Sequence, residues 1–188
     1  MVLGCPWDCC GTCFNSKEES GYPKRAGYDF DGVFHSDVTQ MNESGQRSPA
    51  HYLAQDEYSF VVSRPIKKIF ERIRDQVAHG TEIFIITHRH GRDNTARLAS
   101  SSFEELGYRF LKEHHLDDII PTKNCYVAHR SKVDVIRDLD LDEYSDDSLR
   151  NLLELQQAIK NGAITHPLSL FLVYPEYANT DKPCIERL

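Results

Sequence analysis

From Tyr28 onward, apolar residues alternate between short runs that suit strands and longer stretches with helical spacing. Ala26-Gly27-Tyr28 reads as a short first strand ending before Asp29. Pro65 opens a helix that carries Ile66, Ile69, Phe70, Ile73 and Val77 on one face, and Gly80 closes it. Ile83-Phe84-Ile85-Ile86 is a continuous apolar run, as expected of a central strand covered on both faces, and it ends at Thr87. A second helix is predicted from Asp93 or Asn94 through Ala96, Ala99, Phe103 and Leu106, stopping at Gly107. Cys125-Tyr126-Val127-Ala128 forms another strand. Ser131 caps a helix with Val133, Ile136 and Leu139 inward, and Ser148 begins one through Leu149, Leu152, Leu153 and Ile159 to Gly162. Leu168 to Val173 supplies a last strand. Strands alternating with amphipathic helices predict an α/β fold of Rossmann-like, three-layer type, with a central parallel sheet and helices on both faces.

Two stretches break the rhythm. Residues from Phe34 to about Arg64 have weak periodicity and read as a long active-side loop or small hairpin. Residues Tyr108 to Asn124 mix charge with the short run Asp118-Ile119-Ile120. The chain has 188 residues, which fits one domain over 25–188 preceded by a Cys-rich extension over 1–24. Four of its six cysteines, Cys5, Cys9, Cys10 and Cys13, lie in that extension. Their thiolates could hold zinc, but the spacing matches no common zinc knuckle and no second half of ligands follows. An extension with reactive thiols is the preferred reading.

The formal charge of −7 repels polyanions, so any nucleic-acid contact must use a local basic patch. No apolar stretch approaches membrane-spanning length and no basic region precedes an apolar run at the N-terminus, so no membrane association and a cytoplasmic location are expected. No Walker loop, HExxH or GxSxG is present, which disfavours those enzyme classes.

The candidate chemistry sits at the strand ends. In open α/β sheets ligands bind beyond the carboxyl ends of parallel strands, so polar residues following successive strands converge on one crevice. Here these are Asp29-Phe30-Asp31-Gly32-Val33, then Thr87, then Lys132, then Asp146-Asp147. Asp29 and Asp31 would point the same way in an extended chain, but a turn at Gly32 lets their roles diverge, one attacking while the other handles a proton. Asp146 and Asp147 add negative charge that calls for a divalent cation beside a phosphate, and Mg²⁺ suits carboxylate oxygen. Lys132 supplies a positive charge and Thr87 a neutral donor for phosphoryl oxygens. His88 adjoins Thr87 as a further phosphate-binding candidate, in the locally cationic run His88-Arg89-His90-Gly91-Arg92.

This ordered set, DxDGV, a hydrophobic strand ending in Thr, a Lys and a DD pair, resembles the four motifs of the haloacid dehalogenase superfamily, in its phosphatase branch. The resemblance spans roughly residues 26–175. It implies that Asp29 is the nucleophile forming an aspartyl-phosphate, and that Asp31 is the general acid and then the base. It further implies Mg²⁺ held by the Asp29 carboxylate, the Asp31 backbone carbonyl and an acid of the last motif, with Asp147 favoured over Asp146. Family members that are dehalogenases lack the second Asp, so its presence favours a phosphatase. Ala26-Gly27-Tyr28 and Glu143-Tyr144-Ser145 are less hydrophobic than the family's usual strands.

Neither gap between motifs is large enough for a full cap domain. An open crevice suits a phosphate on a large substrate, a nucleotide or polynucleotide end among them, or a small ester closed over by a partner. Arg89 or Arg92 could contact such a substrate, and His35 could orient the leaving group. The expected activity is therefore a Mg²⁺-dependent phosphomonoesterase. The alternative is a catalytically idle protein of the same fold whose Cys-rich tail binds a metal or a partner.

Overall fold

The computed structural model describes residues 21–36, 64–88, 103, 107–128, 131–178 and 180–188. Cys5, Cys9, Cys10, Cys13, Arg89, Arg92 and the expected start of a helix at Asp93 or Asn94 lie outside the described residues. In chain order the elements are β1 (Arg25–Tyr28), β2 (His35–Ser36), β3 (Arg64–Pro65), α1 (Lys67–Ala78), β4 (Glu82–Thr87), α2 (Tyr108–Glu113), β5 (Cys125–Val127), α3 (Lys132–Asp138), β6 (Glu143–Asp146), α4 (Leu149–Lys160), β7 (Ser169–Val173) and β8 (Ile185–Arg187). The central sheet has the order β5-β4-β1-β6-β7-β8. Its first five strands are parallel and β8 closes the edge antiparallel to β7. The chain is thus α/β with a mostly parallel sheet, of Rossmann-like type. No helix of the described residues is long and apolar enough to cross a membrane.

The sequence dictates why both faces of the sheet are covered. Along β4, Ile83 and Ile85 point one way and Phe84 and Ile86 the other, because side chains alternate along a strand. Ile83 and Ile85 join a cluster with Ile69, Phe70 and Ile73 of α1 and Phe110 and Leu111 of α2. Phe84 and Ile86 join Ile136 of α3 and Leu152, Leu155 and Ala158 of α4. A run without polar interruption is what a strand with two buried faces needs. The chain winds from β1 outward to β4 and β5, then returns to place β6 on the other side of β1 and β7 beyond it. The winding therefore reverses between β1 and β6, the position beyond the strands' carboxyl ends at which open α/β sheets bind ligands.

Several expectations shift in detail. Pro65 does not start α1 but pairs with His35 in a two-stranded antiparallel sheet, and the Ile66 N–H donates to Phe34 O (2.9 Å). Gly80 closes the helix as expected, at φ 89°. Gly107 is not a stop: it is right-handed helical (φ −64°, ψ −47°) and leads into α2. A Cβ at Gly107 would collide with the Phe103 ring, so the residue is small because an aromatic ring packs on its backbone. On α4, Leu149 (49% exposed) and Leu153 (52%) face outward. The buried stripe runs instead through Leu152, Leu155 and Ala158. Strand β6, despite its polar sequence, is buried at Tyr144, Ser145 and Asp146. Its partly buried Glu143 accepts from Arg72 (2.8 Å) and Gln76 (3.0 Å) of α1.

Gly27 is needed in β1 for the close approach of Leu141 and of Tyr144 on the neighbouring strand β6. A Cβ there would lie 2.5 Å from Leu141 Cδ1 and 2.9 Å from Tyr144 Cδ2. Gly27→Ala is expected to destabilise the fold by about 1–3 kcal/mol, the usual cost of overpacking. A denaturation midpoint equal to that of the wild type would contradict this packing.

Candidate active site

Asp29 is the first residue past β1, and its N–H donates to Ser145 O of β6 (2.8 Å). This hydrogen bond fixes the residue at the point where the sheet's winding reverses. Its carboxylate is nearly buried and is held at both oxygens: the Phe30 N–H donates to Oδ1 (2.7 Å) and the Lys132 ammonium lies 2.9 Å from Oδ2. Lys132 is the first residue of α3. The Ser131 hydroxyl oxygen accepts from the Val133 N–H (3.1 Å), an N-cap that sets where the helix begins and so where Lys132 points. The same ammonium lies 2.8 Å from Asp146 Oδ2. One buried cation thus bridges the acid following β1 and the acid ending β6.

Asp146 is fully buried, and its carboxylate is already occupied by donors. Besides Lys132, Oδ2 accepts from the Tyr144 hydroxyl (3.0 Å) and the Asn151 amide (3.1 Å), and Oδ1 accepts from the Ser148 N–H (2.8 Å). Sequence reasoning passed over Tyr144 and Asn151. Tyr144 could have been found from strand periodicity, since a residue two positions before Asp146 shares its face. Asn151 lies in the first turn of α4, within reach of the acid that precedes the helix. Ser148 was expected as the helix N-cap; it occupies that position but makes no side-chain cap, and its N–H is satisfied by Asp146 instead.

Asp29, Asp146 and Asp147 each offer a carboxylate oxygen within 4.8 Å of the others. At an effective dielectric near 20, like charges at that spacing repel by roughly 3–4 kcal/mol per pair. One ammonium does not offset three such carboxylates, and burial adds its own penalty. Burial, with Asp146 and Asp147 acting in the same direction, holds the Asp29 carboxyl well above the usual carboxylate range, although Lys132 opposes the shift. Burial by itself would lower the Lys132 ammonium, but Asp29 and Asp146 outweigh it and raise it. Burial and the neighbouring Asp146 push the Tyr144 phenol well above its ordinary value, so Tyr144 stays a neutral donor. An all-oxygen, over-negative donor set fits a hard dication such as Mg²⁺. The Asp146 oxygens are engaged by Lys132, Tyr144, Asn151 and the Ser148 N–H, and those of Asp29 by Lys132 and the Phe30 N–H, so a cation in the cluster would share these carboxylates with their present donors.

The remaining predicted residues fall around this centre. The Asp31 carboxylate is not among the three that converge; it lies 3.1 Å from His35 Nε2. His35 is buried, so any influence on a leaving group runs through Asp31 rather than by direct contact. Thr87 ends β4, and the pairing of Tyr28 with Ile85 puts it level with Phe30, one residue past Asp29. It is fully buried at that end of the sheet. His88 follows it, its Nδ1 2.8 Å from Ala128 O, and lines a shallow cleft with Lys132, Asn151 and Glu154. No protein-family model matches the chain, and comparison with curated proteins gives no match.

The raised carboxyl has a consequence for stability. The native protein holds the Asp29 proton at pH values where the unfolded chain, with a pKa near 4, has released it, so this group's contribution becomes less favourable as pH rises above about 4. In chelator, Asp29→Asn is expected to raise Tm at pH 7, roughly 2–4 °C for each kcal/mol relieved. The gain should shrink toward pH 4. A thermal melt series in which Asp29→Asn is less stable than the wild type at pH 7 would contradict the raised carboxyl.

Proposed function

We propose that the chain is a Mg²⁺-dependent phosphomonoesterase of the haloacid dehalogenase type, with a three-layer α/β fold and no large cap domain. The observation that carries this reading is the meeting of Asp29, Lys132 and the Asp146-Asp147 pair at the reversal point of the sheet, with Asp31 two residues beyond Asp29. A nucleophile, a cation for phosphoryl oxygen and an acidic pair arrive there from separate parts of the chain.

Asp29 attacks the phosphorus of the ester while the bond from phosphorus to the ester oxygen breaks. Asp31 donates its proton to that departing oxygen. Asp31, now ionised, removes a proton from water as the water attacks the phosphorus of the aspartyl-phosphate. Inorganic phosphate leaves, Asp29 is regenerated as a carboxylate, and Asp31 regains its proton. Lys132 holds Asp29 Oδ2 and offsets charge that develops on the phosphoryl oxygens. Asp29 and Asp147, with the Asp31 carbonyl, would hold Mg²⁺, which supplies the positive charge needed to keep Asp29 ionised beside a phosphate. The substrate class is a phosphate ester open to solvent, a nucleotide or polynucleotide end included.

Hydrolysis of p-nitrophenyl phosphate with and without Mg²⁺ tests the proposal. The wild type should turn over only with the metal, and Asp29→Asn should lose roughly 10³-fold or more in kcat/KM, as for loss of other nucleophiles. Equal rates in the two proteins would defeat it. Binding should also stabilise the fold by mass action, raising Tm as Mg²⁺ increases. That rise should be smaller in Asp147→Asn.

A further inference from the structure

Asp31 does not stand alone after β1. The chain from Phe30 to His35 closes on itself: the Val33 and Phe34 N–H groups donate to Phe30 O (3.3 and 2.9 Å), and the Gly32 N–H donates to His35 O (3.1 Å). Gly32 sits at φ 79°, a backbone conformation that glycine adopts without strain. The turn sets the backbone of His35 against that of Asp31, and the side chains meet with His35 Nε2 3.1 Å from Asp31 Oδ1.

The imidazole is fixed from several sides. Its side chain is 5% exposed, against 21% for Asp31. The Phe30 ring meets it edge-on at 5.2 Å and the Phe110 ring of α2 lies 5.6 Å away. The His35 backbone is tied by pairing to Pro65. A ring so confined cannot swing with the carboxylate, so the carboxylate must settle on the ring.

We infer that His35 is a positioning residue for the general acid and base: it holds one oxygen of Asp31 so that the other carries the working proton. The inference rests on the phosphatase reading. With hydrogen on Nε2, the ring donates to Oδ1 whether Asp31 is protonated or ionised. The proton delivered to the leaving oxygen, and later taken from water, therefore belongs to Oδ2 in both half-reactions. No change in the His35 ring is needed, and the contact with this confined ring restricts rotation of the Asp31 carboxyl, which would otherwise place the proton on either oxygen. Orientation of this kind affects only steps in which the proton moves.

That restriction separates a positioning role from a packing role. Esters of p-nitrophenol expel their leaving group without a proton, whereas benzyl phosphate, of similar size, must have its alkoxide protonated. The quantity to compare is kcat/KM with Mg²⁺, because it reports the steps through formation of the aspartyl-phosphate and not its hydrolysis. His35→Leu keeps apolar contact with Phe30 and Phe110 but removes the donor. It should lower kcat/KM about 10- to 100-fold for benzyl phosphate and less than about threefold for p-nitrophenyl phosphate, a part of what general acid catalysis supplies. His35→Asn, polar but too short to reach Asp31, should behave the same way and serves if the Leu variant does not fold. His35→Gln, which can present an amide donor near the position of Nε2, should recover most of the loss. In an Asp31→Asn background, His35→Leu should add nothing further, because both changes act through one group. Equal losses on the two esters, a Gln variant as impaired as Leu, or additive losses with Asp31→Asn would each overturn the inference. If the wild type is no faster than Asp29→Asn on either ester, the phosphatase reading itself fails and this inference with it. Unequal responses of the esters in an active wild type leave that reading intact and decide the role of His35 alone.

Discussion

A single buried ammonium sets the terms for this site. Lys132 reaches Asp29 Oδ2 at 2.9 Å and Asp146 Oδ2 at 2.8 Å, linking the strand at the centre of the sheet to its neighbour across the reversal point. Removing Lys132 would leave two buried carboxylates uncompensated, whereas neutralising Asp29 leaves the ammonium paired with Asp146. The position of α3, which starts at Lys132, is therefore tied to the ends of β1 and β6. The site stays over-negative even so, since Asp147 joins the two bridged carboxylates. Burial, with that imbalance acting in the same direction, raises the Asp29 carboxyl.

The two acids of the final pair divide the labour through their surroundings. Asp146 faces inward, fully buried, among Tyr144, Asn151, Lys132 and the Ser148 N–H, and so acts as the fixed anchor of the site. Asp147 is only partly buried and offers a carboxylate oxygen to the same cluster. The strand ends at Asp146, so Asp147 lies in the bend before α4, and the two carboxylates converge although their burial differs. The DxD segment works similarly: Asp29 is pinned to β6 by its backbone and to Lys132 by its side chain, while Asp31, past the start of the turn, meets His35.

Much of this was legible before any coordinates. The apolar run of β4, the stripe of α1 and the Ser131 cap are local patterns, and they place Thr87 and Lys132 at the ends of their elements. Other features were misread or missed because their causes lie in packing rather than in spacing along the chain. Gly107 looks like a helix stop until the Phe103 ring is seen against it. Leu149 and Leu153 look inward by composition, yet α4 is rotated so that Leu152 and Leu155 meet the core. The edge strand β8 is three residues long, with two exposed, and carries no hydrophobic alternation to announce it. Strand β6 is polar in sequence because its partners are polar: Glu143 has Arg72 and Gln76, and Asp146 has Lys132.

The sequence by itself determined the alternation of strands and helices and the order in which acids, Thr87 and Lys132 follow them, because these depend on periodicities of a few residues and on turn and capping chemistry. Tertiary structure alone decided which oxygen each group occupies: that Lys132 spans Asp29 and Asp146, that Tyr144 and Asn151 occupy Asp146, and that His35 rests on Asp31. The Lys132 contacts join separate segments of the chain, and even the near ones, two to five residues apart, need hydrogen-bond distances of about 3 Å that are fixed by how whole layers pack.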